Sequence, residues 1–195
     1  MKLENKKIII VTNRTNSGGV AKISNFLANF CVKYFDEVYI LALYDNIKSE
    51  KLDNNVKFIH IETPYSNNHL SKFAYNINLI KQIRKVIKDV KPDIACTLGS
   101  DVSTRFTFAS TGYKIPIVSS ERGDPRELSY IWRLLSSYAY KRANYLVFQT
   151  PLIQQMYQGK IKNSTVIANP CFILDDEEKV MRKKKKYSKC GALIT

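Results

Sequence analysis

An α/β fold, an open parallel sheet with helices on both faces, is what this 195-residue sequence predicts. Short β-branched runs alternate with helix-period segments from the beginning of the chain, which is the pattern of βαβ units. The runs are continuous in apolar residues, as in Ile8-Ile9-Ile10-Val11, and strands buried on both faces read that way.

The first strand covers residues 8–11 and passes into a polar turn over 12–19. Val20, Ile23, Leu27, Phe30 and Tyr34 then recur at spacings of three and four, which gives a helix one apolar stripe. Strands follow over 38–43 and 56–61. A helix over 70–90 is expected to turn Phe73, Ile77, Ile80, Ile83 and Ile87 to the core and to end before Pro92. Residues 93–98 form the next strand, with Gly99-Ser100-Asp101 as its carboxyl-terminal loop ahead of a helix reaching Ser110. A strand over 115–119 leads into the polar loop 121–125. In the helix beyond it, Ile131, Leu134, Leu135 and Tyr138 mark the core stripe, leaving Tyr130, Trp132 and Tyr140 on other faces. After a strand over 145–148, Thr150-Pro151 opens a helix with a hydroxyl cap and proline at the first helical position. The last strand, 164–168, closes on Asn169-Pro170, and from Asp175 the composition turns acidic and then lysine-rich, as in a linker.

The length suits one sizeable core. Hydrophobic residues make up 45% and charged residues 25%, ordinary globular usage that excludes a disordered or fibrous chain. No apolar run approaches the roughly 20 residues that span a bilayer, so no transmembrane helix is expected. The amino terminus lacks a small-residue cleavage site, so a cytoplasmic location is expected. Cys31, Cys96, Cys171 and Cys190 include no Cys-x-x-Cys pair, and neither His60 nor His69 has a partner at ligand spacing. Isolated thiols and no metal site are therefore expected. The net charge of +14 points to an anionic partner: nucleic acid, phospholipid headgroups or a phosphate-bearing substrate. Six of the positive charges crowd residues 182–189, a run that reads as a solvated linker ahead of a binding patch. A basic nucleic-acid-binding module is the competing reading, weakened because those lysines lie outside the folded pattern and no such motif is legible.

Ligands of an open parallel sheet bind at the carboxyl ends of the strands, so the loops there hold the candidate residues. Gly18 and Gly19 let backbone approach a ligand, and the amides of the following helix suit phosphate; a plain tight turn is the alternative. The spacing is not that of the Gly-x-Gly-x-x-Gly fingerprint or of a Gly-Lys-Ser/Thr phosphate loop. Ser100 and Asp101 are candidate contacts, although a cap for the following helix is the favoured role of Asp101. Glu121 could take a sugar hydroxyl's proton as general base and Arg122 could hold a phosphate, or the two could pair with neighbours.

In chain order these pieces resemble the amino-terminal domain of family-4 retaining glycosyltransferases of the GT-B fold. The matching segments are Ser17-Gly18-Gly19-Val20-Ala21-Lys22, Ser120-Glu121-Arg122-Gly123-Asp124-Pro125, Val147-Phe148-Gln149-Thr150-Pro151 and Val166-Ile167-Ala168-Asn169-Pro170, within residues 6–174. The tail Cys190-Gly191-Ala192-Leu193-Ile194 looks like the Val-Gly-Arg-Leu segment that opens the family's second domain. The resemblance implies a Rossmann-like acceptor-side domain over 1–174, a charged linker over 175–189, and over 190–195 the first strand of a missing carboxyl-terminal donor-binding domain. It further implies metal-independent, cofactor-free transfer of a sugar, with retention, from a nucleotide diphosphate sugar to a sugar or lipid-linked acceptor in cell-surface polysaccharide synthesis. Gly18 and Gly19 would supply backbone contacts, with Glu121 and Arg122 lining the cleft. Ser120 stands where many members have histidine. The family's diphosphate-stabilising Arg and Lys and its Glu-x7-Glu carboxylates belong to the second domain, so this chain alone is expected to be inactive. An anionic membrane surface is a further expected partner, through the net charge and aromatics such as Trp132 beside Arg133, Lys141 and Arg142.

Overall fold

The structure, a computed structural model, describes residues 3–44, 46–61, 69–159, 161 and 163–169, with the backbone alone for 69–72. Its elements begin with β1 (Leu3–Thr12), α1 (Gly19–Cys31), β2 (Phe35–Ala42), β3 (Val56–His60) and α2 (His69–Val90). They continue with β4 (Ile94–Leu98), α3 (Ser100–Ala109), β5 (Ile117–Ser120), a 3-10 turn (Pro125–Glu127) and α4 (Tyr130–Arg142). β6 (Tyr145–Phe148), α5 (Pro151–Met156) and β7 (Ser164–Val166) complete the described chain. The expected linker over 175–189 and strand over 190–195 lie outside the described residues.

The strands form one seven-stranded parallel sheet in the order β3-β2-β1-β4-β5-β6-β7, as the alternating pattern predicts. The hydrophobic run in β1 places it at the centre, where Ile8 lies opposite Val38 of β2 and Ile94 of β4. Because successive side chains of a strand point to opposite faces, the run serves two cores. Ile9 and Val11 join Leu41 and Ala95 beneath α2 and α3. Ile8 and Ile10 join Val38, Ile40 and Leu98 beneath α1. A third cluster, Tyr140, Leu146, Phe148 and Tyr157, ties α4 to β6 and the end of α5.

Helix positions agree with the sequence reading better than helix faces do. On α4 the expected core residues Ile131 (67%), Leu134 (55%) and Tyr138 are exposed, whereas Ser136, Ala139 and Tyr140 are buried. Both sets have helical spacing. Ser136 and Ala139 are small enough to let α4 approach its neighbour α3 closely, and Tyr140 reaches inward onto β6. On α2, Leu79, Ile83, Ile87 and Val90 are buried, but Phe73 is 71% exposed and Ile77 is exposed. A helix of 22 residues is about 33 Å long, about twice the five-residue strand β4, so its first turns overhang the carboxyl edge of the sheet. On α1, Ile23 is buried and Val20 and Leu27 pack partly against the core, while Phe30, with Tyr34 just beyond the helix, faces outward in a stack with Phe26. Thr150 does cap α5, accepting the Ile153 amide at 3.3 Å, with Pro151 as first helical residue. Among the described residues no helix is long and apolar enough to cross a membrane.

Candidate functional site

The chain leaves β1 toward β2 and β3 on one side and builds β4 to β7 on the other, so the strand order reverses between β1 and β4. The two loops at such a point diverge and leave a crevice outside the carboxyl ends of the strands. Here those loops interlock with the one after β5. The Gly99 amide donates to the Ser120 carbonyl at 2.8 Å, the Glu121 amide to the Val147 carbonyl at 3.0 Å, and Asn13 Nδ2 to Asp101 Oδ2 at 3.1 Å.

Gly18 precedes α1 with φ +92°, a conformation that L side chains rarely adopt, and neither it nor Gly19 would bring a Cβ within 4 Å of another group. Both therefore border open space, and no side chain caps the amides of the first turn of α1. The loop is anchored from below: Asn25 Nδ2 donates to the Thr15 carbonyl at 2.8 Å, and Thr15 Oγ1 to the Ile47 carbonyl at 3.0 Å. Gly99 repeats the arrangement before α3, with φ +106° and again no side-chain cap. The sequence places Gly99 in this strand-end loop but points to Ser100 and Asp101, not to Gly99, as the contacts.

Ser100 opens α3 half-buried, its carbonyl accepting from Thr104 Oγ1 at 2.7 Å. Asp101 does not cap that helix. It pairs instead with Arg105 one turn on, at 3.0 Å, and takes the Asn13 amide from across the crevice. Arg105, absent from the sequence-derived candidates, is 7% exposed. Its Nε donates to Asn76 Oδ1 at 3.0 Å, and its guanidinium lies over the Trp132 and Tyr44 rings at 5.0 and 5.8 Å. Buried charge is tolerable when it is paired and hydrogen-bonded, and this network joins α2, α3, α4 and the loop after β1. Trp132 is thus half-buried as a platform for Arg105, which removes it from the expected membrane-facing aromatics.

Glu121 is 1% exposed. Its Oε1 accepts the amides of Arg122 and Gly123 at 2.9 and 3.1 Å, and its Oε2 accepts the hydroxyls of Tyr140 and Tyr157 at 2.9 and 3.1 Å. Four donors occupy the acceptor capacity of a carboxylate, leaving none for a sugar hydroxyl. The geometry corrects the general-base expectation: Glu121 folds the loop that carries Arg122. Burial, and secondly the Glu121 charge, raises the pKa of both tyrosines. Tyr140, expected on an outer face of its helix, is buried, so its partnership with Glu121 has no local signature in the sequence.

Arg122 is half-buried, and its Nη1 donates to Asn169 Oδ1. Its Nε is buried without a hydrogen-bond partner, and no carboxylate pairs with it among the described residues. Desolvation lowers its pKa, as for a cation short of a counter-charge. Nearby, Asp124 caps and pairs with Arg126, which holds its carboxyl down at about 2. Ser120, in the position where histidine was noted, is buried and donates to the Val147 carbonyl at 3.2 Å.

No family model matches this chain. It is 26% identical over 171 residues to the GalNAc-alpha-(1->4)-GalNAc-alpha-(1->3)-diNAcBac-PP-undecaprenol alpha-1,4-N-acetyl-D-galactosaminyltransferase of Campylobacter jejuni, covering 87% of this chain and 47% of the relative. It is also 26% identical over 178 residues to the UDP-N-acetylglucosamine--N-acetylmuramyl-(pentapeptide) pyrophosphoryl-undecaprenol N-acetylglucosamine transferase of Wigglesworthia glossinidia brevipalpis, covering 86% of this chain and 45% of the relative. The chain therefore spans about half the length of the curated relatives it matches. Among solved structures, sucrose-phosphate synthase from Thermosynechococcus elongatus superimposes with TM-score 0.70 at 7% identity, over 84% of this chain and 48% of that one. The fold is accordingly the Rossmann-like α/β half expected from the sequence.

Proposed function

We propose that this chain is the acceptor-side part of a nucleotide-sugar glycosyltransferase, of the family-4 type, that glycosylates a lipid-linked or glycan acceptor in cell-surface polysaccharide synthesis. The observation that carries the reading is the crevice at the β1/β4 reversal, where two glycine-led helices start, with the uncompensated Arg122 guanidinium on the loop after the next strand, β5. Backbone amides and a guanidinium without a carboxylate suit phosphate oxygens. Both curated relatives are glycosyltransferases, which favours this reading over a nucleic-acid-binding module.

In transfer, the bond from the anomeric carbon to the diphosphate breaks, a bond to the acceptor oxygen forms, and the acceptor hydroxyl's proton passes to the departing diphosphate. On this chain Gly18 and Gly19 offer backbone to the ligand, and Ser100 and Asp101 border the crevice. Arg122 receives a phosphate oxygen while Glu121 positions it. The remaining charge stabilisation and the donor pocket come from a carboxyl-terminal domain as partner, so this chain alone should not turn over. Work on the cytoplasmic face of an anionic membrane suits Tyr130, Ile131 and Tyr138, exposed on α4 beside Arg133, Lys141 and Arg142.

Titration with uridine diphosphate tests the crevice. Arg122→Gln is expected to weaken binding about tenfold or more, the value of a charge-assisted hydrogen bond. Equal affinity of the variant and the parent would contradict the assignment.

A further inference from the structure

At the β4 end of the crevice stands a carboxylate, a group that repels phosphate. Asp101, in the first turn of α3, has a side chain 32% exposed. Two donors serve it: Asn13 Nδ2 lies 3.3 Å from Oδ1 and 3.1 Å from Oδ2, and Arg105 Nη1 lies 3.0 Å from Oδ2. A carboxylate accepts about four hydrogen bonds, so acceptor capacity remains here, whereas the four donors on Glu121 leave none there. Oδ1 turns toward Gly99, 3.4 Å from where a Cβ at that glycine would stand. Asn13 Oδ1 is a second acceptor at the same place, buried with no hydrogen-bond partner among the described residues. Tyr44, whose amide donates to the Asn13 carbonyl at 3.0 Å, adds a partly exposed aromatic ring. Acceptors short of donors beside such a ring suit a neutral, hydroxyl-rich ligand; a phosphate or a carboxylate brings charge of the wrong sign.

Arg105 gives the carboxylate a fixed backing. Among the ion pairs of the described residues, this is the one whose cation is buried, its side chain 8% exposed. Burying a guanidinium costs desolvation that an apolar side chain against Trp132 would avoid, so stability alone explains the pair poorly. Orientation explains it better. Nε is anchored on Asn76 of α2 at 3.0 Å and the guanidinium lies 5.0 Å from the Trp132 ring, which leaves Nη1 directed at Asp101. The cation stays behind, and the carboxylate is the face offered to the crevice.

We propose that Asp101 selects a neutral saccharide ring and rejects an acidic one, and that Arg105 is the positioning residue that fixes it. That this ring belongs to the acceptor rests on the transferase reading above; the selection itself is tested without any transfer.

Methyl α-galactopyranoside, methyl α-glucopyranoside and the uronate of each are titrated into the 195-residue protein, with the indole resonance of Trp132, its single tryptophan, as reporter. At least one neutral glycoside should bind about tenfold or more tightly than its uronate. Asp101→Asn, of the same shape, should bring the two within about twofold, a change of ratio that a merely structural role would not produce. Arg105→Met should weaken the neutral glycoside about tenfold, and Arg105→Lys, which keeps the cation, should recover part of that loss. Circular dichroism and melting confirm that each variant is folded. No glycoside binding to the parent, a ratio unchanged in Asp101→Asn, or full affinity in a folded Arg105→Met overturns the proposal. Uridine diphosphate is titrated into the same samples. If its Arg122-dependent binding persists while the glycosides fail, only the saccharide proposal falls; if it fails while the glycosides are discriminated, only the phosphate assignment falls.

Discussion

Four hydrogen bonds on Glu121 make a buried carboxylate the joint between the loop after β5, α4 and the end of α5. The phenols that serve it dictate a response to alkali. Tyr140 and Tyr157 are raised above the ordinary value of 10.0, and burial pushes Tyr44 up to about 12. A phenol raised in the folded state stabilises the fold below its unfolded pKa and loses that contribution as pH rises through the folded one. The denaturation midpoint should thus hold to about pH 9 and fall from about pH 10 upward, and Tyr140→Phe should flatten the fall. A parent midpoint unchanged through about pH 12 would contradict the burial of these phenols. The two glycines separate in the same spirit. Gly18→Val forces a side chain onto φ +92° and should cost stability, about 1–3 kcal/mol. Gly19, with ordinary backbone and open space, should tolerate valine in the fold yet lose uridine diphosphate affinity. Thermal melts and titration of both variants check this, and undiminished binding by Gly19→Val would return the loop to a plain turn.

At the scale of elements, strands were legible and helix orientation was not. A continuous apolar run such as residues 8–11 can only be a buried strand or a buried helix segment, and its shortness between turns decides. Helical periodicity marks a stripe without saying which side of the helix meets the core. α4 carries two stripes, and the small residues Ser136 and Ala139 decided the packing. For the site, positions at strand ends could be found from order alone, which is how Gly18, Ser100, Asp101 and Arg122 were reached. Partners brought together by the fold, such as Arg105 with Asn76 and Trp132 or Glu121 with Tyr157, carry no local signature. The inverted α4 gives a test. Ile131→Glu should change stability by about 0.5 kcal/mol or less, and Tyr140→Ala should cost about 3–5 kcal/mol. The same Ile131→Glu protein should lose flotation with anionic liposomes, binding that in the parent fades as salt rises. Parent protein that floats equally with neutral liposomes, or with neither, would remove the membrane proposal.

Over the whole molecule, the sheet reversal gathers three loops at one edge, and the exposed apolar turns of α2 and α4 overhang that edge. An acceptor that joins a sugar to a lipid would find both ends accommodated on this side. The chain spans about half the length of its curated relatives, and under the transferase proposal the part it does not span would complete the cleft by binding the donor. The most direct test joins residues 1–174 to the part of the Campylobacter relative that this chain does not span and measures radiolabelled sugar passing from a nucleotide diphosphate sugar to a lipid-linked saccharide. Transfer by the fusion is expected, with its loss on Arg122→Gln and none from the 195-residue chain alone. A folded fusion that binds the donor yet transfers nothing, or robust transfer by the unfused chain, would contradict it.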